Sequence, residues 1–431
     1  MILIPDLNRK IALKMLCFLS VFFIFIRANQ IVLPAIAFFS FVVIVIFPRT
    51  DRIFDRFVIF AAALFFSSLL GAIILDFQLA RFGFSYLLYV FPLFTGITFY
   101  YSNITIQTIE RWITVYCILN FVIFSIQIIS YGSFLAGDHV FGLIGKQDTS
   151  HTTGIVMSLT SVFWVYLFQH TKKIKHLFFF LLTLIFTAMT GVTHGIFAIM
   201  IAISIVVIFM SGFRSKLFLA ITFIISVIYL NVISTILGGN FFTGISNMDR
   251  FVKGDWNYLY RNRVLKIKAF EIGINHISTR PYHLFFGVGF GNYNDRISAI
   301  ALIENYSPKM RQLLKLRPSQ LSLTLLGKNW YSKSVSNKFF SDLLSIIVET
   351  GLIGLFIFIF AIYKVYKSYH FSIEKLYALF LIIYIILLGV IENWLQYPQV
   401  SALFALILCI LLKIDKEKIQ LLKKSKMIHL S

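Results

Sequence analysis

Residues 343–363 read LLSIIVETGLIGLFIFIFAIY, an apolar run in which Glu349 is the one charged side chain. A helix needs about 20 such residues to cross the hydrocarbon core of a membrane, because each residue adds about 1.5 Å along its axis. The run does not alternate between apolar and polar residues, as the strands of a membrane β-barrel do. It therefore predicts a transmembrane helix.

Similar apolar runs recur along the whole chain of 431 residues. Hydrophobic residues make up 59% of the sequence and charged residues only 13%, and the mean hydropathy is +0.86, which together exceed the usual composition of soluble domains. We expect an all-α polytopic membrane protein with about 12 transmembrane helices. The runs lie near 11–27, 29–47, 57–75, 83–101, 112–131, 153–169, 176–191, 195–212, 216–238, 343–363, 376–394 and 399–413.

Lys and Arg residues indicate how the spans are oriented, because positive charge in short loops is retained on the cytoplasmic side. Basic connections at 49–56, 172–175, 214–216 and 364–367 fall on one side of the bundle, together with the basic end of the chain. We therefore expect both termini in the cytoplasm. The predicted parts are an N-terminal bundle of about nine spans at 1–238, a large, partly helical outer loop at 239–340, about three further spans at 341–413, and a basic cytoplasmic tail at 414–431.

The outer loop carries an excess of positive charge. It contains fifteen Lys or Arg residues and five Asp or Glu residues, within a chain of net charge +21. The positive-inside tendency does not govern loops longer than about 60 residues, so membrane insertion does not explain this excess. An anionic ligand would explain it, and so would attraction to anionic lipid head groups. Nucleic acid is not an expected partner on this face.

The sequence contains no pattern for a metal ion or a nucleotide cofactor. Its three cysteines, Cys17, Cys117 and Cys409, all fall in predicted spans and are interpreted as small buried hydrophobic residues. No Cys/His cluster has zinc-ligand spacing, and no GxxxxGK[ST] phosphate-binding loop occurs. We therefore expect no cofactor and no metal site.

Two features of the outer loop provide candidate site residues. Arg261 and Arg263 begin a segment, Val264–Ile277, whose apolar residues recur at helical spacing and which we expect to lie along the membrane surface. Arg280 is then followed by PYHLFFGVGFGN, residues 281–292. Its alternating glycines permit a tight backbone path, and their amides can face an anion, although an ordinary turn is the other interpretation.

The chain resembles the O-antigen polymerase and O-antigen ligase family of bacterial cell-surface polysaccharide enzymes. The similar fragments, in order, are Arg263 with Ala269 and Phe270, the run ending Gly-Val-Gly-Phe-Gly-Asn at 292, and Val-Glu-Thr-Gly-Leu-Ile-Gly at 348–354. The resemblance implies a metal-independent membrane glycosyltransferase that takes a sugar chain from undecaprenyl pyrophosphate at the outer face of the bacterial cytoplasmic membrane. Its implied partners are the lipid-linked oligosaccharide, membrane lipids, a flippase and a chain-length regulator.

The resemblance also implies roles for the arginines of the loop. A pyrophosphate leaving group gains negative charge as the glycosidic bond breaks, and a fixed arginine stabilises that charge most in the transition state. Arg263 stands where family members carry an arginine at the start of the loop helix, so it is the first catalytic candidate. Each arginine could instead be a snorkelling or lipid-facing charge. The substrate-binding candidates in the loop are Arg261, Arg280, Arg296, Gly287, Gly289, Gly291 and Asn292.

Departures from the family pattern concern the acceptor. Ligases usually carry a His-Asn pair ahead of the Glu-x-Gly motif, where this chain has Phe340 and Ser341. The missing histidine favours a polymerase and makes Asp342 the candidate that activates an acceptor hydroxyl, with a helix cap as its other interpretation. His194 stands where the family often has an arginine, and it is a further catalytic candidate because a histidine can donate to a phosphate. Two more substrate-binding candidates on the outer side are His151 and Glu392.

Three functions fit these features. The first is a polymerase of O-antigen or capsule repeat units, and the second is a ligase that transfers the polymer to lipid A core. The third is a flippase for the same lipid-linked oligosaccharide, which is not an enzyme. Transporters often place ionisable or broken-helix sites near the membrane midplane in two related halves, and the sequence shows neither feature.

Overall fold

The computed structural model describes residues 6–26, 31–46, 52–131, 141–144, 150–190, 265–293, 308–326, 341–391 and 394–428, together with isolated positions between 192 and 224 and between 297 and 301. Helices and turns account for these residues, and no strand occurs among them, so the predicted all-α class is confirmed for this part of the chain. The helices are α1 (Asp6–Phe25), α2 (Val32–Ile46), α3 (Ile53–Leu75), α4 (Leu79–Val90), α5 (Phe94–Tyr101), α6 (Ile106–Tyr131), α7 (Ser150–Thr171), α8 (Ile174–Met189), α9 (Leu265–Ser278), α10 (Pro281–Phe286), α11 (Pro308–Leu313), α12 (Gln320–Leu326), α13 (Asp342–Lys367), α14 (Ser372–Ile391) and α15 (Pro398–Ile428).

Seven helical stretches among the described residues are long and apolar enough to cross a membrane, and one of them consists of α4, a short turn and α5. Each coincides with a predicted span, and α2 and α8 are apolar but shorter. The predicted spans at 195–212 and 216–238 lie largely outside the described residues, so the full number of spans stays a prediction. The seven are Ile53–Leu75, Leu79–Tyr101, Ile106–Ser130, Ser150–Thr171, Asp342–Lys367, Ile373–Val390 and Pro398–Lys423.

The helices α7 and α15 form the centre of the bundle. In each of them 89% of the most apolar 18-residue stretch is buried inside the protein, whereas in α3 and α6 only 28% of that stretch is buried. The helix α7 packs against α8 and α15, α15 also packs against α5, and α3 packs against α13. The outward face of α6 exposes Ile118, Phe121 and Ile129. A continuous apolar surface of this kind suits contact with lipid rather than with water.

Polar pairs join α7 to α14 and α15 inside the bundle. The hydroxyl groups of Ser158 and Tyr384 are hydrogen-bonded to each other. The Tyr166 hydroxyl donates to Glu374 Oε1 at 3.1 Å, and Lys418 Nζ lies 2.6 Å from the same oxygen of this wholly buried carboxylate. In apolar surroundings such pairs fix the relative positions of neighbouring helices.

The last helix extends beyond the predicted end of the membrane span. The sequence predicts a span that ends near residue 413 and a separate basic tail, but α15 continues without interruption to Ile428. Its 31 residues correspond to about 46 Å, which exceeds the roughly 30 Å of a hydrocarbon core. The predicted basic tail therefore lies, as far as Ile428, on the same helix as the predicted span.

The helix α13 is interrupted at Gly351, where φ is +67° and ψ is −170°. The sequence predicts one uninterrupted helix here, because its apolar run passes through the glycine without change. A positive φ is accessible to glycine at little cost, and a helix that contains one cannot continue its regular hydrogen bonding through it. The break lies two to three turns from the start of α13 and is the feature on which the candidate site is built.

Candidate functional site

The residues from Gly287 to Asn292, here called the glycine segment, directly follow the short helix α10. Gly287, Gly289 and Gly291 have φ angles of +73°, +87° and +82°. Residues with a Cβ atom rarely adopt such angles, because the side chain would crowd the backbone. The tight backbone path predicted from the alternating glycines is confirmed.

Each of these glycines lies so close to a different helix that an added Cβ atom would overlap it. The pairs are Gly287 with Glu349 of α13, Gly289 with Ala72 of α3, and Gly291 with Arg81 of α4. The approach is mutual at α3, where a Cβ atom on Gly71 would meet the carbonyl oxygen of Gly287. The absence of side chains therefore allows one short segment to join three helices.

The glycine segment bonds to α13 at its break. The amides of Val288 and Gly289 donate to the carbonyl oxygens of Val348 and Glu349, at 2.9 and 2.8 Å. Both oxygens belong to residues less than one turn before Gly351, where the regular helix is interrupted. Because buried carbonyl groups require a hydrogen-bond partner, the glycine segment supplies donors that the interrupted helix lacks. Two fragments that lie far apart in the sequence thus form one structural unit.

Glu349 strengthens this contact with its side chain. The residue is wholly buried, and its Oε1 accepts from the amide of Tyr293 at 3.1 Å. Burial and, secondarily, the negative charge of Glu349 raise the pKa of the Tyr293 phenol, so Tyr293 stays protonated at neutral pH. The Tyr293 ring lies directly over Gly273 of α9. Glu349 thereby links α13 to the loop helix as well as to the glycine segment.

Arg81 holds the other side of the glycine segment. It is 1% exposed, and its Nη1 donates to the carbonyl oxygen of Arg317 at 2.7 Å. Its Nη2 donates to the carbonyl oxygen of Asp76 at 2.6 Å and to Asn292 Oδ1, and lies 3.2 Å from the Asp76 carboxylate. A guanidinium group suits this position because its rigid fork can serve several acceptors at once. Arg81 therefore joins α4 to two separate parts of the segment 239–340, at Asn292 and at Arg317.

Asn292 has its polar groups engaged within the protein. Its side-chain Nδ2 donates to the carbonyl oxygen of Val288 at 2.7 Å, and its Oδ1 accepts from Arg81. Its carbonyl oxygen accepts from the hydroxyl groups of Ser319 and Ser322, at 2.5 and 3.2 Å. The residue is 1% exposed. Its predicted contact with substrate stays a prediction, and such a contact would compete with these bonds.

The backbone amides of the glycine segment are also largely occupied. Gly287 N donates to the carbonyl oxygen of His283 at 2.8 Å, Gly289 N to that of Glu349, and Asn292 N to that of Gly289 at 3.2 Å. An anion would have to displace these internal acceptors. Donors for an anionic ligand are therefore more readily supplied by the cationic side chains near the segment.

Exposed cationic residues occur before and after the glycine segment in the sequence. Arg280 is exposed immediately before α10. Lys315 and Arg317 are exposed as well, although their backbone carbonyl oxygens accept from Gln78 and Arg81, at 2.8 and 2.7 Å. A group of like charges at the edge of a site attracts ligands of opposite charge. The surroundings of the segment favour an anion.

Asp342 is buried at the first residue of α13. Its Oδ2 accepts from the amide of Leu395 at 2.7 Å, which joins α13 to the turn Trp394–Gln396. The preceding Ser341 supplies the helix cap, since its Oγ accepts from Leu344 N at 3.3 Å. Asp342 and Glu349 lie on the same helix, about 10 Å apart along its axis. The capping role considered for Asp342 thus belongs to Ser341.

The other candidates are only partly placed. His151 lies half-buried in the first turn of α7. The structure brings Gly287, Gly289, Gly291 and Asn292 together with Glu349 and Arg81, and Arg280 lies at the far end of α10 from them. The candidates outside the described residues are Arg261, Arg263, Arg296, His194 and Glu392.

Sequence reasoning did not single out Arg81 as a candidate. One signal was available, because Arg81 is the single charged residue between Asp76 and Glu110 and adjoins an apolar run. A charge at the edge of a span is costly unless it is paired or reaches the interface. That signal predicts a partner for Arg81 but not which one.

Among the residues that the structure describes, no group of three or more His, Cys, Asp or Glu side chains is arranged to hold a metal ion. Comparison with protein-family models and with curated proteins finds no match for this chain. The resemblance to the polysaccharide enzymes therefore depends on the sequence fragments alone.

Proposed function

We propose that this protein is a membrane glycosyltransferase that polymerises O-antigen or capsule repeat units. It transfers a glycan from undecaprenyl pyrophosphate to a sugar hydroxyl of another lipid-linked repeat unit, at the outer face of the bacterial cytoplasmic membrane. In this proposal the chain has about 12 spans, both termini are cytoplasmic and the segment 239–340 lies outside. No cofactor takes part.

The observation that carries the proposal is the contact between the glycine segment and the break in α13. The resemblance depends on the run Gly287–Asn292 and on the fragment around Glu349–Gly351, and these two are bonded to each other through Val288 and Gly289. Their contact supports the proposal because it brings both fragments into a single candidate site.

The proposed chemistry needs a stabilised leaving group and an activated hydroxyl. The acceptor oxygen forms a bond to the anomeric carbon, the bond from that carbon to the pyrophosphate oxygen breaks, and the electron pair stays on the pyrophosphate. Arg263 stabilises the new charge, with Arg261, Arg280, Arg296 and His194 as further donors. The hydroxyl proton goes to the Asp342 carboxylate.

A flippase is the second candidate. Transporters often place their binding sites at discontinuous helices, and the break at Gly351 makes α13 such a helix. The break nevertheless bonds to the glycine segment, so its backbone groups are engaged inside the protein. The ligase remains a third outcome, because it shares the lipid-linked donor and differs in the acceptor.

Surface-polysaccharide gels on deletion cells test the proposal. Cells that lack the gene are expected to show a single repeat unit in place of the ladder, and the wild-type gene to restore the ladder. Arg263→Ala is expected to fail, since the loss of one donor to a developing charge costs on the order of a hundredfold or more in rate. Arg56→Ala, an exposed arginine of α3, is the matched control and should restore the ladder.

The gel also separates the alternatives. Full-length polymer that accumulates on undecaprenyl pyrophosphate without reaching its anchor would indicate a ligase. Repeat units retained on the cytoplasmic side would indicate a flippase. An unchanged ladder in the deletion strain would contradict the polymerase and the ligase alike.

Asp342→Asn tests the proposed base. An asparagine oxygen can still accept from Leu395 N, so the variant is expected to fold, whereas it cannot take a proton from a hydroxyl group. Loss of a general base typically costs a hundredfold to about ten-thousandfold in rate, so the ladder should be lost at wild-type protein levels. Asp55→Asn, at an exposed acid of α3, is the control. A normal ladder from Asp342→Asn would assign Asp342 to joining helices only.

A further inference from the structure

Two histidines meet at the corner between α9 and α10. His276 Nε2 lies 3.1 Å from His283 Nδ1, a hydrogen-bond distance. The rings are stacked, with centroids 5.0 Å apart and planes inclined by 20°. Along the chain, the two helices are separated by only Thr279 and Arg280. The histidine pair adds a contact between their side chains. None of the functions considered for the site uses it.

The pair is placed where positive charge is disfavoured. His283 is wholly buried, and its Nε2 has no hydrogen-bond partner among the described residues. Burial, and then the nearby His276 and Arg280, lower the pKa of His283 to about 4. Burial and Arg280 lower the pKa of His276 as well. At neutral pH both rings are therefore uncharged, so a ring N–H of one can donate to a nitrogen lone pair of the other.

The acids of α9 and of the helices around α10 do not offset the lowering of the histidine pKa values, and Glu271 of α9 is exposed. The helix α10 packs against α3, α9 and α13, and the buried acids of α13 are engaged elsewhere. Asp342 accepts from Leu395 N, and Glu349 from Tyr293 N. Asp76, at the end of α3, is paired with Arg81. The charged group that acts on the pair is thus Arg280, which has the same sign as a protonated histidine.

The pair is mechanically connected to the glycine segment. The carbonyl oxygen of His283 accepts from Gly287 N at 2.8 Å, which ends α10 and starts the segment. The carbonyl group of Phe285 lies against Gly351 at the break of α13. A displacement of α10 would therefore be transmitted to the bonds between the segment and α13.

We propose that His276 and His283 form a pH-sensitive latch, in which the neutral pair holds α10 against α9 and protonation of the rings releases α10 together with the glycine segment. The first proton already adds a positive charge to a buried pair beside Arg280, and a second proton leaves no lone pair to accept the bond. The latch depends on the fold alone and not on the proposed glycosyl transfer. Its failure would leave that proposal unaffected.

The direction of the effect follows from the lowered pKa values. A histidine has a pKa of about 6.5 when the latch is open, and His283 has one of about 4 when it is closed. Opening is therefore independent of pH above about 6.5 and becomes more favourable as the pH falls from there towards 4. At pH 5.0 the difference between the open and closed pKa values of His283 raises the ratio of open to closed protein about 30-fold.

Hydrogen exchange on the full-length protein in detergent micelles tests the latch. Protection factors, corrected for the intrinsic pH dependence of exchange, are compared at pH 7.5 and 5.0. The peptide covering 281–293 is expected to lose protection about 30-fold at pH 5.0, whereas peptides from α7 should not change. Equal protection of 281–293 at both pH values would overturn the proposal.

Three variants sharpen the test. The double variant His276→Gln/His283→Gln is expected to show no fall in protection, because neither position titrates. Arg280→Gln keeps both histidines and alters only an exposed residue, and it should reduce the fall because the closed pair then tolerates protons better. His370→Gln, at an exposed histidine between α13 and α14, should retain the full 30-fold fall. A fall as large as the wild type's in the double variant would overturn the proposal, and if that variant fails to fold, equal wild-type protection at both pH values still does so.

Discussion

Replacing Arg81 with methionine is expected to detach the glycine segment from α4 and to abolish polymer formation. The substitution removes the donor to the carbonyl oxygens of Arg317 and Asp76 and to Asn292 Oδ1. These acceptors face a position that is buried in the wild-type protein, where Arg81 is 1% exposed. Each acceptor that stays buried without its donor typically costs about 1–3 kcal/mol, whereas the Asp76 carboxylate, which is 35% exposed, stays in contact with solvent. Together these costs are a large share of the stability of an ordinary domain, so we expect a lower melting temperature as well as lost activity.

Two further variants identify the cause of that loss. Arg81→Lys keeps the charge but offers a single ammonium group in place of the planar fork, and it is expected to recover only part of the melting temperature. Arg56→Met removes an exposed arginine of α3 and should leave both readouts unchanged. The measurement is thermal unfolding of the purified protein in detergent, alongside the polysaccharide gel. Wild-type behaviour of Arg81→Met would show that Arg81 does not hold the segment.

Gly289→Ala is expected to have a similarly large effect through the backbone. An alanine at φ +87° costs about 1–2 kcal/mol in conformational strain alone. Its methyl group would also overlap Ala72 of α3, and overpacking costs about 1–3 kcal/mol more. The segment would have to move away from α3, and this movement would strain the bonds of Val288 and Gly289 to α13.

Gly83→Ala provides the matched control for this substitution. Gly83 lies inside α4, and an added Cβ atom there meets no atom within 4 Å. Alanine in a helix interior is favoured over glycine by about 1 kcal/mol, so this variant should be unchanged or slightly more stable. Thermal unfolding of the two variants side by side makes the comparison. Equal stabilities would contradict the close approach of the glycine segment to α3.

The membrane helices were the most predictable part of the fold. An apolar run of about 20 residues is a local signal, and every described helix that is long enough to cross a membrane lies where such a run predicts it. The interruptions were less predictable. Pro92, in the short turn between α4 and α5, and Gly351 in α13 both sit inside unbroken apolar sequence, and their effect depends on what packs against them.

The candidate site was predictable only in its backbone. The alternating glycines permit a tight backbone path, and the structure has such a path, with positive φ angles at all three glycines. The partners of the segment were not predictable, because Arg81 and Asn292 are 211 positions apart and nothing local to either one identifies the other. The histidine pair illustrates the same limit, since helical spacing does not predict that His276 and His283 meet across a turn between two helices.

Reconstitution tests the central claim most directly. The purified protein in liposomes is supplied with one substrate, a repeat unit linked to undecaprenyl pyrophosphate, and the lipid-linked products are separated by size. We expect the wild-type protein to form products of two and more repeat units and to release undecaprenyl pyrophosphate in step with them. The Arg263→Ala variant should form no longer products and release no undecaprenyl pyrophosphate. Repeat units that remain single with the wild-type protein, or that only change from one leaflet to the other, would contradict it.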